Sequence, residues 1–166
     1  MLAVIYILST CIIGAYCDCP YGFTAHGDSC YLIVGLNSTW IEAKKYCDVM
    51  GGDLAVVESS EEEIYLVNLL KQIDATGRIF PENYWLDGTD VVKEGEFRWM
   101  GKNGNSIPIS GYTNWAPGQP DNAAVHENCL EIRYSFNILW NDLDCNTRQN
   151  FICEASNEWN GDTIIG

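Results

Sequence analysis

A chain of 166 residues, 47% hydrophobic and carrying six Trp, can bury a real core and implies one domain. Nine Lys and Arg against 23 Asp and Glu leave a formal net charge of −14, which argues against nucleic acid or an anionic membrane as partner, because phosphate would be repelled. Eight cysteines in so short a chain point to an oxidising compartment.

Residues 1–17 carry no charged side chain, and 2–14 form an apolar run of signal-peptide length, too short to span a bilayer. Ala15-Tyr16-Cys17 places small residues where a signal peptidase reads. We expect a signal peptide over 1–17, cleavage before Asp18, and a secreted, extracellular protein without membrane insertion. Cleavage removes Cys11 and Cys17 and leaves six cysteines, whose pairing counting alone leaves open.

Asn37-Ser38-Thr39 is an N-glycosylation acceptor, placing a glycan at Asn37. Thr39 can cap a helix over 40–50, with Trp40, Ala43, Cys47 and Met50 on one face and Gly51-Gly52 as the stop. Residues 54–57 read as a short buried strand. Ser59 and Ser60 before Glu61-Glu62-Glu63 form a capping-box pattern opening a second helix to about Ile73. Ile64, Val67, Leu70 and Ile73 are its expected buried stripe, and the glutamates suit the positive end of its dipole. Residues 74–81 form a loop. Strands are expected at 84–86, 97–99, 130–132, 138–140 and 151–153, with a turn-rich stretch over 101–118. Trp85, Trp99, Trp115 and Trp140 are expected in the core. A domain over 18–156 is followed by a polar tail, 157–166.

Between Asn114 and Asp142 the chain gathers oxygen donors: Gln119, Asp121, Glu127, Asn141 and Asp142. Mixed carboxylates and amides suit Ca²⁺, a hard cation that takes oxygen ligands. Zinc and copper prefer imidazole and thiolate. Three of the five carry charge, and without an ion these would repel one another.

The order Gln119-Pro120-Asp121, Glu127, Cys129, Trp140-Asn141-Asp142, Cys145 resembles the sugar-binding motif of C-type lectins. Cys19-Pro20, Cys30-Tyr31, the run 43–47, Gly51-Gly52-Asp53-Leu54-Ala55, Tyr84-Trp85-Leu86-Asp87-Gly88, Phe97-Arg98-Trp99 and Phe151-Ile152-Cys153-Glu154 extend the resemblance over roughly 19–154. It implies an α+β C-type lectin-like fold, with two helices, small antiparallel sheets, a long calcium-binding loop region and three disulfides. In the family's long form these pair Cys19–Cys30, Cys47–Cys153 and Cys129–Cys145. The resemblance also implies a cis bond before Pro120 that turns Gln119 and Asp121 towards one ion. Glu127, Asn141 and Asp142, with the Asp142 main-chain carbonyl, complete the set. The same five side chains would hydrogen-bond the sugar.

An amide before the proline and a carboxylate after it resembles the galactose-type arrangement, so terminal galactose or GalNAc is the expected ligand. The reversed Glu and Asn order marks the mannose type. Galactose binders of the family stack an aromatic ring on the sugar, and residues 122–126 hold none but His126; Tyr134 and Phe136 are further candidates. Asp90, Glu94, Asn122, Glu127 and Asn128 match an auxiliary calcium site. Binding to one sugar buries little surface, so a homo-oligomer would supply avidity.

Recognition of glycans or microbial surfaces, and hence innate immunity, follows by family analogy. Mannose-type or broad binding is the alternative, as is an acidic, calcium- or mineral-associated matrix protein. Catalysis is not expected: His26 and His126 stand in no Ser-His-Asp order and no zinc signature.

Overall fold

A computed structural model describes residues 19–76, 83–101 and 105–157; the expected signal peptide, most of the expected tail and part of the loop 74–81 lie outside the described residues. The elements are β1 (Thr24–His26), β2 (Ser29–Ser38), α1 (Trp40–Val49), β3 (Asp53–Leu54), α2 (Ser60–Ala75), β4 (Tyr84–Thr89), β5 (Arg98–Met100), β6 (Ser106–Pro108), β7 (Cys129–Arg133), β8 (Leu139–Leu143) and β9 (Gln149–Ser156).

The helices end where local chemistry ends them. Thr39 Oγ1 accepts from the Glu42 N–H at 3.4 Å, and Glu42 returns a carboxylate to the Thr39 N–H at 3.0 Å. Two orphan donors at the start of α1 are thereby satisfied. At its far end Gly51 adopts φ +89°, its N–H reaches the Asp48 carbonyl at 3.0 Å, and the Gly52 N–H reaches that of Cys47 at 2.9 Å. A glycine takes this left-handed closure without steric cost. Gly52 has a second reason to lack a side chain: a Cβ there would stand 2.3 Å from the Glu154 carbonyl oxygen.

The strands run in the order β1-β2-β9-β4-β5-β6, with β3 paired to β9 and the β7–β8 hairpin joined through β4. The ladders are antiparallel except β4–β9, which is parallel. That pair joins the small antiparallel sheets that the resemblance implies. One core, built on Trp40, Ala43, Cys47, Trp85 and Phe151, packs α1 on the sheet. The other, built on Leu66, Leu70, Tyr84, Trp99 and Trp140, packs α2. Trp85, Trp99 and Trp140 are buried, and Trp115 packs edge-on against Trp140 and Phe97, as expected for core aromatics. The three disulfides join the pairs that the resemblance implies.

The buried face of α2 differs from the expected stripe. Glu63, Leu66 and Leu70 are buried, whereas Ile64 is 61% exposed. The helix is rotated because Glu63 is drawn inward: the Trp140 indole N–H donates to Glu63 Oε2 at 2.8 Å. An apolar-only pattern cannot register a carboxylate that serves as the acceptor for a core tryptophan. Ser59 caps α2 by accepting from the Glu62 N–H at 3.2 Å, but the Glu62 carboxylate turns instead to the Glu58 N–H and the Tyr31 hydroxyl.

Burial pushes the Glu63 carboxyl up to about 7 from its ordinary 4.5, against the lowering effect of its Asn114 and Trp140 hydrogen bonds. Burial likewise raises Glu131 and Glu154 to about 7. The folded chain therefore holds these protons more tightly than the unfolded chain does. Their stabilisation is full below about pH 4.5 and falls as pH rises towards 7. In chelator, the protein is expected to be more stable at pH 5.5 than at pH 7.5. Glu63→Gln should flatten that slope and stabilise the protein at pH 7.5 by roughly 1–2 kcal/mol, after discounting a shift worth about 1.4 kcal/mol per unit. Urea unfolding at both pH values measures this, and an unchanged slope in the variant would contradict it.

Candidate metal site

The site is assembled on β8 and on the loop that precedes β7. In the hairpin Leu130 pairs with Asp142 and Glu131 with Asn141. Asn141 and Asp142 are each 1% exposed. The loop is pinned beside them at Trp140, whose N–H donates to the Asn114 carbonyl at 2.9 Å and whose carbonyl accepts the Ala116 N–H at 2.8 Å. Gly118, at φ +91°, then turns the chain into Gln119, and the Gln119–Pro120 bond is cis.

From there the loop is tied to the carboxylates themselves. Asp142 accepts the Asp121 N–H at 3.1 Å and the Asn122 N–H at 2.7 Å. Asn122, at φ 44°, accepts the Glu127 N–H on its side-chain oxygen at 3.0 Å. Glu127 accepts the Ala123 N–H at 2.9 Å. The Cys129–Cys145 disulfide braces the base of the hairpin, and the Cys145 carbonyl accepts the Trp40 N–H at 3.0 Å, which ties the site's frame to α1.

This stitching brings one oxygen each of Asp121, Glu127 and Asp142 within 4.8 Å of one another. At that separation each pair of full charges would repel by roughly 3 kcal/mol at an effective dielectric near 20. Burial raises the Glu127 carboxyl above the ordinary carboxylate range, and Asp142 and Asp121 push it in the same direction. The remaining two expected donors complete the picture. Gln119 Oε1 and Asn141 Oδ1 are buried and accept no hydrogen bond from the protein. Clustered carboxylates and orphaned amide oxygens are the donor set that a hard cation requires, so the residues fit Ca²⁺.

The other expected residues divide. Asp90 is 2% exposed; one of its oxygens accepts the Gly95 N–H at 2.8 Å and the other is buried without a partner. Asp142 and Glu94 both raise its carboxyl, after burial. Among the described residues Asp90 and Glu94 do not join the acidic cluster of Asp121, Glu127 and Asp142. The Asn128 main-chain carbonyl accepts the Asp90 N–H at 3.2 Å. His126 is exposed on the loop beside Glu127. Tyr134 and Phe136 are not brought to the site. They follow the opposite end of β7, roughly 16 Å of strand from Glu127 at about 3.3 Å per residue. There the Tyr134 hydroxyl bonds Asp74 at 2.7 Å and Phe136 lies under the Arg133 guanidinium.

One buried carboxylate of this region lies outside the expected donor set. Glu131 stands between Leu130 and Ile132 in a strand of apolar neighbours and is 0% exposed. A carboxylate at the centre of such a run needs a partner.

A disulfide-braced α+β domain whose long loop returns oxygen donors to a central hairpin is a C-type lectin-like domain. The chain belongs to the C-type lectin domain family: residues 36–155 match the Lectin C-type domain model. It is 38% identical over 137 residues to perlucin of Haliotis laevigata, covering 82% of each chain. It is 29% identical over 136 residues to the galactose-specific lectin nattectin of Thalassophryne nattereri, covering 82% of this chain and 79% of that one. Among solved structures, it resembles the cow carbohydrate-recognition domain of CD23, determined in the presence of a GlcNAc2Man3 oligosaccharide, with 28% identity and a TM-score of 0.68 over 84% of this chain and 96% of that one. The family is one of carbohydrate-binding domains that generally take up Ca²⁺.

Proposed function

We propose that this protein is a secreted, calcium-dependent, non-catalytic lectin that binds terminal galactose-type sugars. The observation that carries the reading is the convergence of three carboxylates beside two buried amide oxygens that the protein leaves unpartnered. Gln119, Asp121, Glu127, Asn141 and Asp142 would hold Ca²⁺. The ion would supply free coordination positions to two adjacent sugar hydroxyls. Gln119, Asp121 and Glu127 add the hydrogen bonds that choose between sugars. Gln119 brings an amide that can donate, and Asp121 a carboxylate that only accepts. That polarity supports galactose or GalNAc over mannose, as does the likeness to a relative named galactose-specific.

Asp90, Glu94, Asn122, Glu127 and Asn128 would form a weaker auxiliary calcium site, supported by the unpartnered Asp90 oxygen. Secretion is supported by the three disulfides, and among the described residues no helix is long and apolar enough to cross a membrane. Recognition of cell-surface or microbial glycans by a homo-oligomer would fit weak single-site binding.

The test is retention of the purified mature protein on galactose and mannose resins, with and without EDTA. Retention on galactose and release by EDTA are expected. Preference for mannose would leave the cation bridge standing and refute the role given to Gln119 and Asp121. Retention on neither resin at millimolar calcium, with the protein presented as a multimer, would refute sugar binding.

A further inference from the structure

We propose that Glu131 is the positioning residue that decides which atom Asn141 turns towards the cation site. The inference rests on the calcium reading above and deepens it.

Glu131 lies at the centre of β7, directly across the ladder from Asn141 in β8. Both side chains are buried, at 0% and 1% exposure. Glu131 Oε1 accepts a hydrogen bond from Asn141 Nδ2 at 2.9 Å. The Arg133 guanidinium approaches the same oxygen only to 3.8 Å, beyond hydrogen-bond range. The Asn141 amide nitrogen also donates to the Asp142 main-chain carbonyl. Both donor positions of that amide are therefore spent on acceptors. Its oxygen is left buried with no partner in the protein.

An asparagine amide is nearly symmetric in shape, so packing alone does not choose between its two orientations. The acceptors here do choose. A flipped amide would set Oδ1 against a carboxylate oxygen and a carbonyl oxygen, and would turn an N–H, which no cation can use, towards the site. Glu131 thus acts at one remove. It touches neither ion nor sugar, and it fixes the ligand that does, as partners behind a metal's ligands commonly do. Glu131 itself is held by the ladder, since β7 is paired on one side with β4 and on the other with β8. That pairing fixes the backbone of Glu131 opposite Asn141.

The experiment titrates calcium into the mature, disulfide-intact chain by calorimetry and records the thermal midpoint of each variant in EDTA. Glu131→Met should weaken calcium binding by roughly 10–100-fold, whereas Glu131→Gln, which keeps an acceptor facing Asn141, should stay within about threefold of the parent. In an Asn141→Ala background Glu131→Met should add no further loss, because the side chain it positions is gone. A purely structural role would lower the EDTA midpoint and show the same calcium loss with or without Asn141. Should the methionine variant fail to fold, Glu131→Thr, suited to a strand and too short to reach Asn141, makes the same comparison. Glu131→Met with parental affinity overturns the assignment, and so does Glu131→Gln falling as far as Glu131→Met. A parent chain that takes up no calcium overturns the calcium reading and this assignment together, while parental binding unaffected in every Glu131 variant overturns this assignment alone.

Discussion

Asp142→Ala is expected to abolish retention on galactose resin and to weaken calcium uptake by roughly two to four orders of magnitude, the scale of losing two charge-assisted hydrogen bonds at about 1.5–3 kcal/mol each. Asp142 has a role beyond that of the proposed ligand. Its two oxygens separately accept the Asp121 and Asn122 N–H groups, so it holds in place the loop that carries Gln119, Asp121 and Glu127. The alanine variant would lose the proposed ligand and release the loop in one change. Asp142→Asn separates the two effects. It keeps one acceptor for the loop and removes the charge, so it should retain a near-parental thermal midpoint in EDTA while binding calcium poorly. Calorimetry and resin retention read both variants. Full retention of Asp142→Ala on galactose would refute the cation bridge.

The second large effect concerns the frame. Cys47 and Cys153 are 106 residues apart in sequence and join α1 to β9. Closing a loop of that length removes on the order of 4–5 kcal/mol of unfolded-chain entropy. The bridges Cys19–Cys30 and Cys129–Cys145 close loops of 11 and 16 residues and should each be worth less, about 3 kcal/mol. Replacing Cys47 and Cys153 together by alanine should therefore cost more than removing either short bridge, and enough to consume much of a typical domain's 5–15 kcal/mol. Equilibrium unfolding in urea ranks the three double variants. Removal of Cys129–Cys145 should add a loss of calcium affinity that the other two lack, because that bridge holds the hairpin bearing Asn141 and Asp142. A frame variant that unfolds no more readily than its parent would contradict the loop-length argument.

Sequence patterns reveal this molecule wherever the chemistry is local. The Thr39–Glu42 box, the Gly51-Gly52 stop and the Ser59 cap each use residues within a few positions of one another, and each is present. The donor set at 119–142 is legible for a different reason: five oxygen-bearing residues stand at spacings that a resemblance can match. Three of those residues converge as acids, and the two amides are left with free oxygens. What escaped was non-local. β2 is a ten-residue strand without strict alternation, and its partner β9 lies more than a hundred residues away. The inward turn of Glu63 depends on an indole in β8, and no periodicity within α2 could announce it. Tyr134 and Phe136 follow the site's strand closely in sequence, but an extended chain carries them away from Glu127 rather than around it.

The pairing of β2 with β9 has a further consequence. It sets Ser29 opposite Ser156 and Cys30 opposite Ala155, while Cys19 is linked to Cys30 and the Asn157 N–H reaches the Asp28 carbonyl at 2.9 Å. Entry and exit of the folded unit therefore lie side by side at one end of the β2–β9 ladder. A polypeptide of this shape behaves as a cassette. It can be spliced into a surface turn of a host protein, strung in tandem, or given new ends by joining the old ones, without pulling on the hairpin and loop where the donors converge. Gene duplication or engineering can thus raise the number of recognition heads without altering any one of them.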